Sequence, residues 1–171
     1  MRETCMSSTR HIWLKRVVII SLAIAVIAAG AWLVNRTIII INTDQAIQDA
    51  LFGLATRHYN SEAYSEYLAD DSGRYAAAHK TLWVERKRST LYVYALTEYG
   101  IYDKESGRGR AGGGQPMIFI FSINADGRYF FSSYKASEVG LPEGWPQWLE
   151  YSAYHSNYSG LFQKQVNAYL K

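Results

Sequence analysis

One apolar stretch near the N-terminus constrains this chain more than any other feature. Val17 to Val34 is a run of eighteen residues without a charge, in which only Ser21 and Gly30 interrupt the apolar side chains. As a helix rising about 1.5 Å per residue, it would reach roughly 27 Å, close to the hydrocarbon thickness of a bilayer. The sequence therefore predicts a transmembrane helix over residues 17–34 that contacts membrane lipid.

Basic residues set the expected orientation of this helix. Only Arg36 follows it closely, whereas four basic residues precede it: Arg2, Arg10, Lys15 and Arg16. Because cytoplasmic flanks carry the excess of Lys and Arg, we expect residues 1–16 in the cytoplasm and the C-terminal part outside. A cleaved signal peptide is the alternative, since Ala29-Gly30-Ala31 has the small-residue form of a cleavage site. The apolar run continues to Val34, beyond such a cut, which favours an uncleaved signal-anchor.

Cysteine and charge describe the part beyond the helix. The only cysteine, Cys5, precedes the helix, so no disulfide can hold the remainder together. Residues 1–36 have a formal charge of +4 and residues 37–171 a formal charge of −1. The basic pI therefore belongs to the anchor, and we expect no nucleic-acid partner for the domain.

Residues 43–171 have the length of one domain, after a juxtamembrane linker at 35–42. All fourteen Tyr and all six Phe lie beyond residue 50, which favours a packed, largely β fold. Apolar residues at helical spacing predict a helix over 44–59, capped by Thr43. The four isoleucines at 38–41 fit either a first strand or a continuation of the membrane helix.

The second half of the domain has the pattern of an antiparallel meander. A short helix is predicted at 61–69, a Gly-rich loop at 103–116, and later helices from Pro146 and over 160–170. Strands are predicted over 81–86, 91–102, 117–124 and 128–134. Helices followed by a curved antiparallel sheet predict an α+β domain of the cystatin or NTF2 type, in which helices pack on the sheet.

Four short motifs link this region to a known class of proteins: Leu91–Leu96, Gly112–Gly114, Pro116–Phe119 and the turn Asp126-Gly127. With these motifs, residues 79–134 resemble uncharacterised Gram-positive bacterial single-pass membrane proteins. The resemblance implies a small cystatin/NTF2-like extracytoplasmic domain of unknown function, and it implies no catalytic residue.

The segment Gly107–Gly112 matches the pattern G-x-G-x-x-G. A dinucleotide site needs a helix directly after the last glycine, whereas Pro116 here leads into a predicted strand, so we expect no cofactor. Arg108 and Arg110 could instead capture an anion together with main-chain N–H groups. The simpler interpretation is a flexible hairpin loop.

Histidine spacing predicts no metal site. His58, His79 and His155 stand far apart in the sequence, and no cysteine lies near them. The chain also lacks the G-x-S-x-G pattern of a nucleophile elbow.

Alternation along the long predicted strand places Glu98 on one face with three tyrosines. Folds of the NTF2 type sometimes use an Asp or Tyr in an apolar pocket for proton transfer. Glu98 is the one residue of this sequence in a comparable setting, which makes it the catalytic candidate. The alternative is a strand-face glutamate paired with Lys or Arg.

Aromatic residues form the candidate partner-binding set: Tyr92, Tyr94, Tyr102, Trp145 and Trp148. Such rings could stack on sugars or bind a peptide or partner protein. The alternative is that Trp145 and Trp148 attach the C-terminal segment to the sheet.

These features together predict a membrane-anchored extracytoplasmic domain that binds a protein or glycan at the bacterial cell envelope without catalysis. A small hydrolase or isomerase with a pocket on the sheet face, centred on Glu98, is the alternative. A third is a structural subunit assembled through the transmembrane helix. The sequence leaves the oligomeric state open.

Overall fold

A computed structural model describes residues 4–69, 71–155 and 159–170 of this chain. It divides into two compact units, with the boundary between Ile39 and Ile40. The predicted α+β class is confirmed, because one long apolar N-terminal helix precedes a curved four-stranded antiparallel sheet with further helices. The elements in chain order are helix α1 (Thr4–Tyr59), a 3₁₀ helix (Glu62–Tyr67), strands β1 (Gly73–Lys87), β2 (Thr90–Asp103), β3 (Gly109–Ile123) and β4 (Tyr129–Lys135), a second 3₁₀ turn (Gln147–Leu149), and helices α2 (Glu150–His155) and α3 (Ser159–Tyr169).

The first unit contains the N-terminal part of α1. This helix is long and apolar enough to cross a membrane, by length and composition. Every large apolar side chain between Val17 and Val34 is at least 48% exposed. In water such exposure is unfavourable, whereas in a bilayer the same side chains would meet hydrocarbon. The helix is therefore compatible with a transmembrane or signal-anchor role.

The predicted start of a separate helix at Thr43 is wrong, because α1 continues without a break to Tyr59. Residues 35–42, predicted as a linker, and the four isoleucines at 38–41 are helical. The Thr43 hydroxyl donates back to the Ile40 carbonyl at 3.2 Å, as Thr does inside a helix. Extending an existing helix adds one hydrogen bond per residue without a new nucleus, and that gain exceeds the weak helix preference of β-branched residues.

The sheet has the order β1-β2-β3-β4, and each neighbouring pair is antiparallel. Strand β1 is much longer than the predicted strand at 81–86. The predicted Gly-rich loop at 103–116 is also wrong for most of its length, because β3 begins at Gly109. A Cβ on Gly100 would come within 2.2 Å of the Ala111 carbonyl oxygen. Glycine pairs thus allow β2 and β3 to approach closely, and this tertiary contact overrides the low strand propensity of glycine.

One face of the sheet packs on the C-terminal part of α1. Ala55 and Tyr59 form a buried cluster with Ile101 of β2. Phe52 also meets Tyr75 of β1 edge to face, with ring centroids 6.2 Å apart. Buried Ile47 and Leu51 extend the same side of the helix, as the helical spacing predicts.

The opposite face, which carries Tyr92, Tyr94, Glu98 and Tyr102, is called the tyrosine side below. The C-terminal segments cover much of it. Phe162 and Val166 of α3 pack on Tyr102 and on Leu96, and Leu149 packs on Tyr94. Both faces therefore contribute to the core, in agreement with the aromatic alternation along β2.

Candidate functional site

An open cavity of about 660 Å³ lies on the tyrosine side, between β2, the first half of β3 and helices α2 and α3. We call it the glycine groove, after the three consecutive glycines in its wall. Its lining includes Leu96, Glu98, Tyr102, Gly112, Gly113, Gly114, Pro116, Ala153 and Phe162. Apolar side chains with a few polar groups are the usual composition of a ligand site.

The groove exists because side chains are missing from this part of β3. A Cβ on Gly114 would come within 2.6 Å of the Thr97 carbonyl oxygen, and one on Gly112 within 3.0 Å of the Tyr99 carbonyl oxygen. Gly113 is different, since the nearest atom to its Cβ would be the Tyr59 hydroxyl oxygen at 3.8 Å, an ordinary contact. Backbone proximity therefore requires glycine at Gly114 and makes a side chain at Gly112 tight. The space left by the missing side chains forms the wall of the groove.

Glu98 and Tyr102 are the polar pair of the groove. The Tyr102 hydroxyl donates to Glu98 Oε1 at 2.8 Å, and Tyr102 is only 3% exposed. Burial, and then the nearby Glu98 carboxylate, raise the pKa of Tyr102 far above its usual value, so the hydroxyl keeps its proton. No Lys or Arg in the described part of the chain forms an ion pair with Glu98. The simpler alternative expected Lys or Arg beside Glu98, whereas the observed partner is the neutral hydroxyl of Tyr102.

A second tyrosine–glutamate pair on the same face provides a comparison. The Tyr94 hydroxyl donates to Glu85 Oε2 at 3.0 Å, and the same oxygen lies 3.0 Å from Lys87 Nζ. Burial and the bond to Glu85 raise the pKa of Tyr94. Glu85 thus has an ion-pair partner in Lys87, whereas Glu98 accepts from a tyrosine hydroxyl and forms no ion pair with a described Lys or Arg.

The aromatic set predicted from the sequence separates into two places. Tyr102 lies in the glycine groove, and the other four gather near the far end of the same face. There, Tyr94 meets Trp145 with ring centroids 5.5 Å apart, and Trp148 meets Trp83 at 5.1 Å, both edge to face. Trp83 was missed because a bulge between Thr81 and Trp83 changes which face it joins.

Exposure differs widely within this set. Tyr94 and Tyr102 are each 3% exposed, so their rings belong to the core. Tyr92 and Trp145 are half-buried, and Trp148 is 62% exposed. The alternative role for Trp145, attaching the C-terminal segment to the sheet, matches its contact with Tyr94. Only Trp148 presents a largely accessible ring to a partner.

The two arginines of the predicted anion loop have different environments. The Arg110 guanidinium donates to Asp103 Oδ2 at 2.7 Å, to the Tyr67 carbonyl at 3.2 Å and to the Ser72 hydroxyl. It is therefore engaged by protein acceptors, whereas Arg108 is exposed. Gly107–Gly112 leads into β3 and not into a helix, so the geometry that a dinucleotide needs is missing.

Asp103 organises the short loop between β2 and β3. It accepts hydrogen bonds from the Ser106 main-chain N–H and from the Ser106 hydroxyl, each at 2.8 Å. The Ser106 N–H, and next the Arg110 guanidinium, hold the pKa of Asp103 well below its usual range. This loop is a structural clamp at the end of the groove.

His79 is the buried histidine, at 3% exposure on the α1 side of the sheet. Its Nε2 lies 3.1 Å from Asp44 Oδ1, which gives it a structural partner on α1. Within the described ranges, no three His, Cys, Asp or Glu side chains come together as metal ligands would.

Comparison of the chain with protein-family models, curated proteins and solved structures finds no match. Inference about function therefore depends on the apolar helix and on the glycine groove.

Proposed function

We propose that this protein is a single-pass membrane protein whose extracytoplasmic domain binds a partner at the cell envelope without catalysing a reaction. In this proposal residues 17–34 are an uncleaved signal-anchor and residues 1–16 lie in the cytoplasm. The exposed apolar side chains of the helix and the excess of basic residues before it support that arrangement.

The environment of Glu98 is the observation that carries the binding role. Its carboxylate lines an open groove of about 660 Å³ and accepts a hydrogen bond from the Tyr102 hydroxyl. A partly buried carboxylate that forms no ion pair with a described Lys or Arg gains from donors or positive charge on a ligand. The groove is thus suited to a partner with a basic or hydrogen-bond-donating group.

Other lining groups favour binding over catalysis. The charged residues of the lining are Glu98 and Arg110, and Arg110 is engaged by Asp103. Among the described residues, the lining contains no His, Cys, Lys or Ser. The Thr97 hydroxyl is occupied, since it donates to the Gln115 carbonyl at 2.8 Å. A hydrolase or isomerase with Glu98 as general base stays the alternative, because Glu98 faces the cavity. In such an enzyme, Tyr102 would be the other side chain of the groove able to act as an acid or base.

We also propose a cystatin/NTF2-type fold and kinship with Gram-positive single-pass membrane proteins. The packing of a long helix on one face of a curved antiparallel meander supports the fold. The kinship rests on the four sequence motifs Leu91–Leu96, Gly112–Gly114, Pro116–Phe119 and Asp126-Gly127.

Topology is tested with a reporter that is active only outside the cytoplasm, fused after Lys171. The reporter should be active, and the membrane-bound protein should keep its original N-terminus. A shortened product starting near Trp32 would contradict the signal-anchor, and an inactive reporter would contradict the orientation.

Binding in the groove is tested by photo-crosslinking from the intact protein in its native membrane. A photoreactive residue at Ala153, which lines the groove, should give an adduct that Glu98→Gln weakens. The matched control is Tyr151 on the same helix, which is 72% exposed and outside the lining. Equal adducts from both positions, or none from Ala153, would contradict a partner in the groove. Substrate turnover that disappears with Glu98→Gln would favour the enzymatic alternative.

A further inference from the structure

Strand β3 is paired along only half of its outer edge. It runs from Gly109 to Ile123, but β4 pairs with it only from Ile118 onward. Along Gly109–Met117, no strand of the described chain lies on that side. Gly112, Gly113 and Gly114 are all exposed. The glycine groove therefore borders an open sheet edge.

The main-chain groups of this edge point outward at alternate residues. The carbonyls of Thr97 and Tyr99 point towards β3, since each lies close to where a glycine Cβ of that strand would be. Their direct partners in the register are Gln115 and Gly113. Because strand residues alternate in the direction of their N–H and C=O groups, those of Gly112 and Gly114 point away from β2. Two glycines thus offer donors and acceptors to a further strand.

The other edge of the sheet is protected in the ways that natural proteins use. The His79 main-chain N–H donates to Gln165 Oε1 of α3 at 2.8 Å. Two further features interrupt the rest of that edge: a bulge between Thr81 and Trp83, and three charged residues at 85–87. On the open half of β3 the charged side chain is Arg110, and it is held by Asp103. The contrast indicates that this edge is available for strand pairing.

The charge of Glu98 indicates which side chain an added strand would carry at the position beside Gly114. It is opposite Gly114 in the register, on the tyrosine side. Neighbouring strands lie about 4.8 Å apart, so a residue added beside Gly114 would stand roughly 10 Å from the Cα of Glu98. Gly114 has no side chain to fill that distance, and a long basic side chain together with the glutamate can span it. Charge complementarity therefore favours Lys or Arg at this position.

We propose that the ligand of the groove is an extended polypeptide segment carrying Lys or Arg, which pairs with the open edge of β3 and places a basic side chain on Glu98. This inference rests on the proposed binding function and names the class of its ligand. The 3₁₀ helix packs beside Ala111 at the start of β3. The open part, Gly112–Pro116, would accommodate about five residues, roughly 17 Å at about 3.3 Å per residue. Pro116 has no N–H and ends the pairing edge next to β4. Main-chain bonds would give affinity, and alternate side chains would give specificity.

The probe is a capped peptide of alternating Lys and Val, about eight residues long, added to the full-length protein in lipid nanodiscs. We expect saturable binding by calorimetry and slower amide hydrogen exchange at Gly112 and Gly114 in its presence. Two matched peptides serve as controls. One replaces Lys with Glu, and the other keeps all side chains but carries N-methyl groups at the central residues. Both should bind at least about tenfold more weakly, because the first reverses the charge and the second removes the strand donors.

Two protein variants test the role assigned to Glu98. Glu98→Gln keeps the side-chain shape and an acceptor for the Tyr102 hydroxyl. It should lower the affinity for the Lys peptide about tenfold without changing the thermal stability. Glu85→Gln is the matched control, because Glu85 also accepts from a tyrosine on the same face but lies outside the groove lining. Its affinity for the peptide should equal that of the wild type.

Strand pairing would be overturned if the N-methylated peptide bound as tightly as the unmodified one. It would also be overturned if the peptide bound without slowing amide hydrogen exchange at Gly112 and Gly114. Equal loss of affinity in both glutamate variants would overturn the assignment to Glu98. Concentration-dependent protection without peptide would identify a second copy of the chain as the occupant and would also overturn the proposal. An adduct from Ala153 in native membranes, with no binding of any peptide, would leave the proposed function intact and reject only this inference.

Discussion

The Tyr102 hydroxyl donates a hydrogen bond of 2.8 Å to the Glu98 carboxylate, four residues earlier on the same face of β2. The tyrosine is nearly inaccessible, whereas the glutamate faces the groove. The donor is neutral, and no described Lys or Arg forms an ion pair with Glu98. This relationship distinguishes Glu98 from Glu85, whose tyrosine partner is accompanied by Lys87.

Replacing Tyr102 with Phe should make the domain less sensitive to alkaline pH. Burial and Glu98 raise the folded-state pKa of Tyr102, whereas its pKa in the unfolded chain is about 10. A raised pKa contributes stability that is complete below the unfolded value and is lost as the pH rises towards the folded value. The free energy of unfolding of the wild type should therefore fall above about pH 10, and that of the variant should fall less steeply.

Denaturant unfolding in detergent, repeated across the alkaline range, checks this prediction. Tyr151→Phe is the matched control, since the Tyr151 ring is 72% exposed. At neutral pH, Tyr102→Phe should cost about 1 kcal/mol for the lost hydrogen bond. Parallel pH profiles for the wild type and Tyr102→Phe would show that this hydroxyl does not govern the alkaline transition.

Asp103 should govern part of the stability on the acid side. The Ser106 N–H and Arg110 lower its folded-state pKa, so its contribution is present above the unfolded pKa of about 3.9. That contribution is lost as the pH falls from there through the folded value. Asp103→Asn should lower the stability at neutral pH and flatten its acid dependence. Urea unfolding below about pH 4 measures the effect, with Asp126→Asn in the exposed β3–β4 turn as control; an unchanged acid profile would contradict the clamp.

Gly100 and Gly113 should respond differently to the same substitution. A Cβ at Gly100 would come within 2.2 Å of a backbone oxygen of Ala111, which cannot move aside cheaply. Gly100→Ala should therefore cost on the order of 3 kcal/mol or prevent folding. Gly113→Ala should change stability by less than about 1 kcal/mol, because its nearest neighbour would lie at 3.8 Å. Thermal unfolding of the two variants checks the contrast, and similar losses at both positions would refute it.

Tyr94 should behave as a core residue. Its ring is 3% exposed and packs against Ile118, Leu149 and Trp145. Tyr94→Ala should cost on the order of 3 kcal/mol or more, because it leaves a cavity. Tyr154→Ala, at a site 57% exposed, should stay within about 0.5 kcal/mol. A small loss for Tyr94→Ala would restore this ring as a candidate for partner contact.

Alternation along β2 predicted the two faces of the sheet, and both proved to be covered. The pattern that placed Tyr94 and Tyr102 on one face is local, because successive strand residues point to opposite sides. Whether such a ring is exposed depends on what packs over it. Phe162 and Leu149 lie far along the chain from β2, so their cover over Tyr102 and Tyr94 could not be predicted from spacing.

The glycine-rich segment is a second case in which distant contacts decided the structure. Residues 103–116 have the composition of a loop, and glycine propensity argues against a strand. The register with β2 decides otherwise, because Gly100 and Gly112 face each other where side chains would collide. The sequence indicated the glycines and Glu98 separately, but their meeting in one groove depends on strand pairing.

Local sequence patterns were sufficient to predict four features: the apolar helix, its basic flank, the absence of cysteine beyond it, and an α+β domain with aromatic strands. These properties follow from composition and from periods of two and 3.6 residues, which act over short stretches of chain. The tertiary structure alone decided that α1 continues through Thr43 and that Arg110 is held by Asp103. It also decided that Glu98 lines the glycine groove and forms no ion pair with a described Lys or Arg. Contacts between residues distant in sequence fix these outcomes, and no local pattern encodes them.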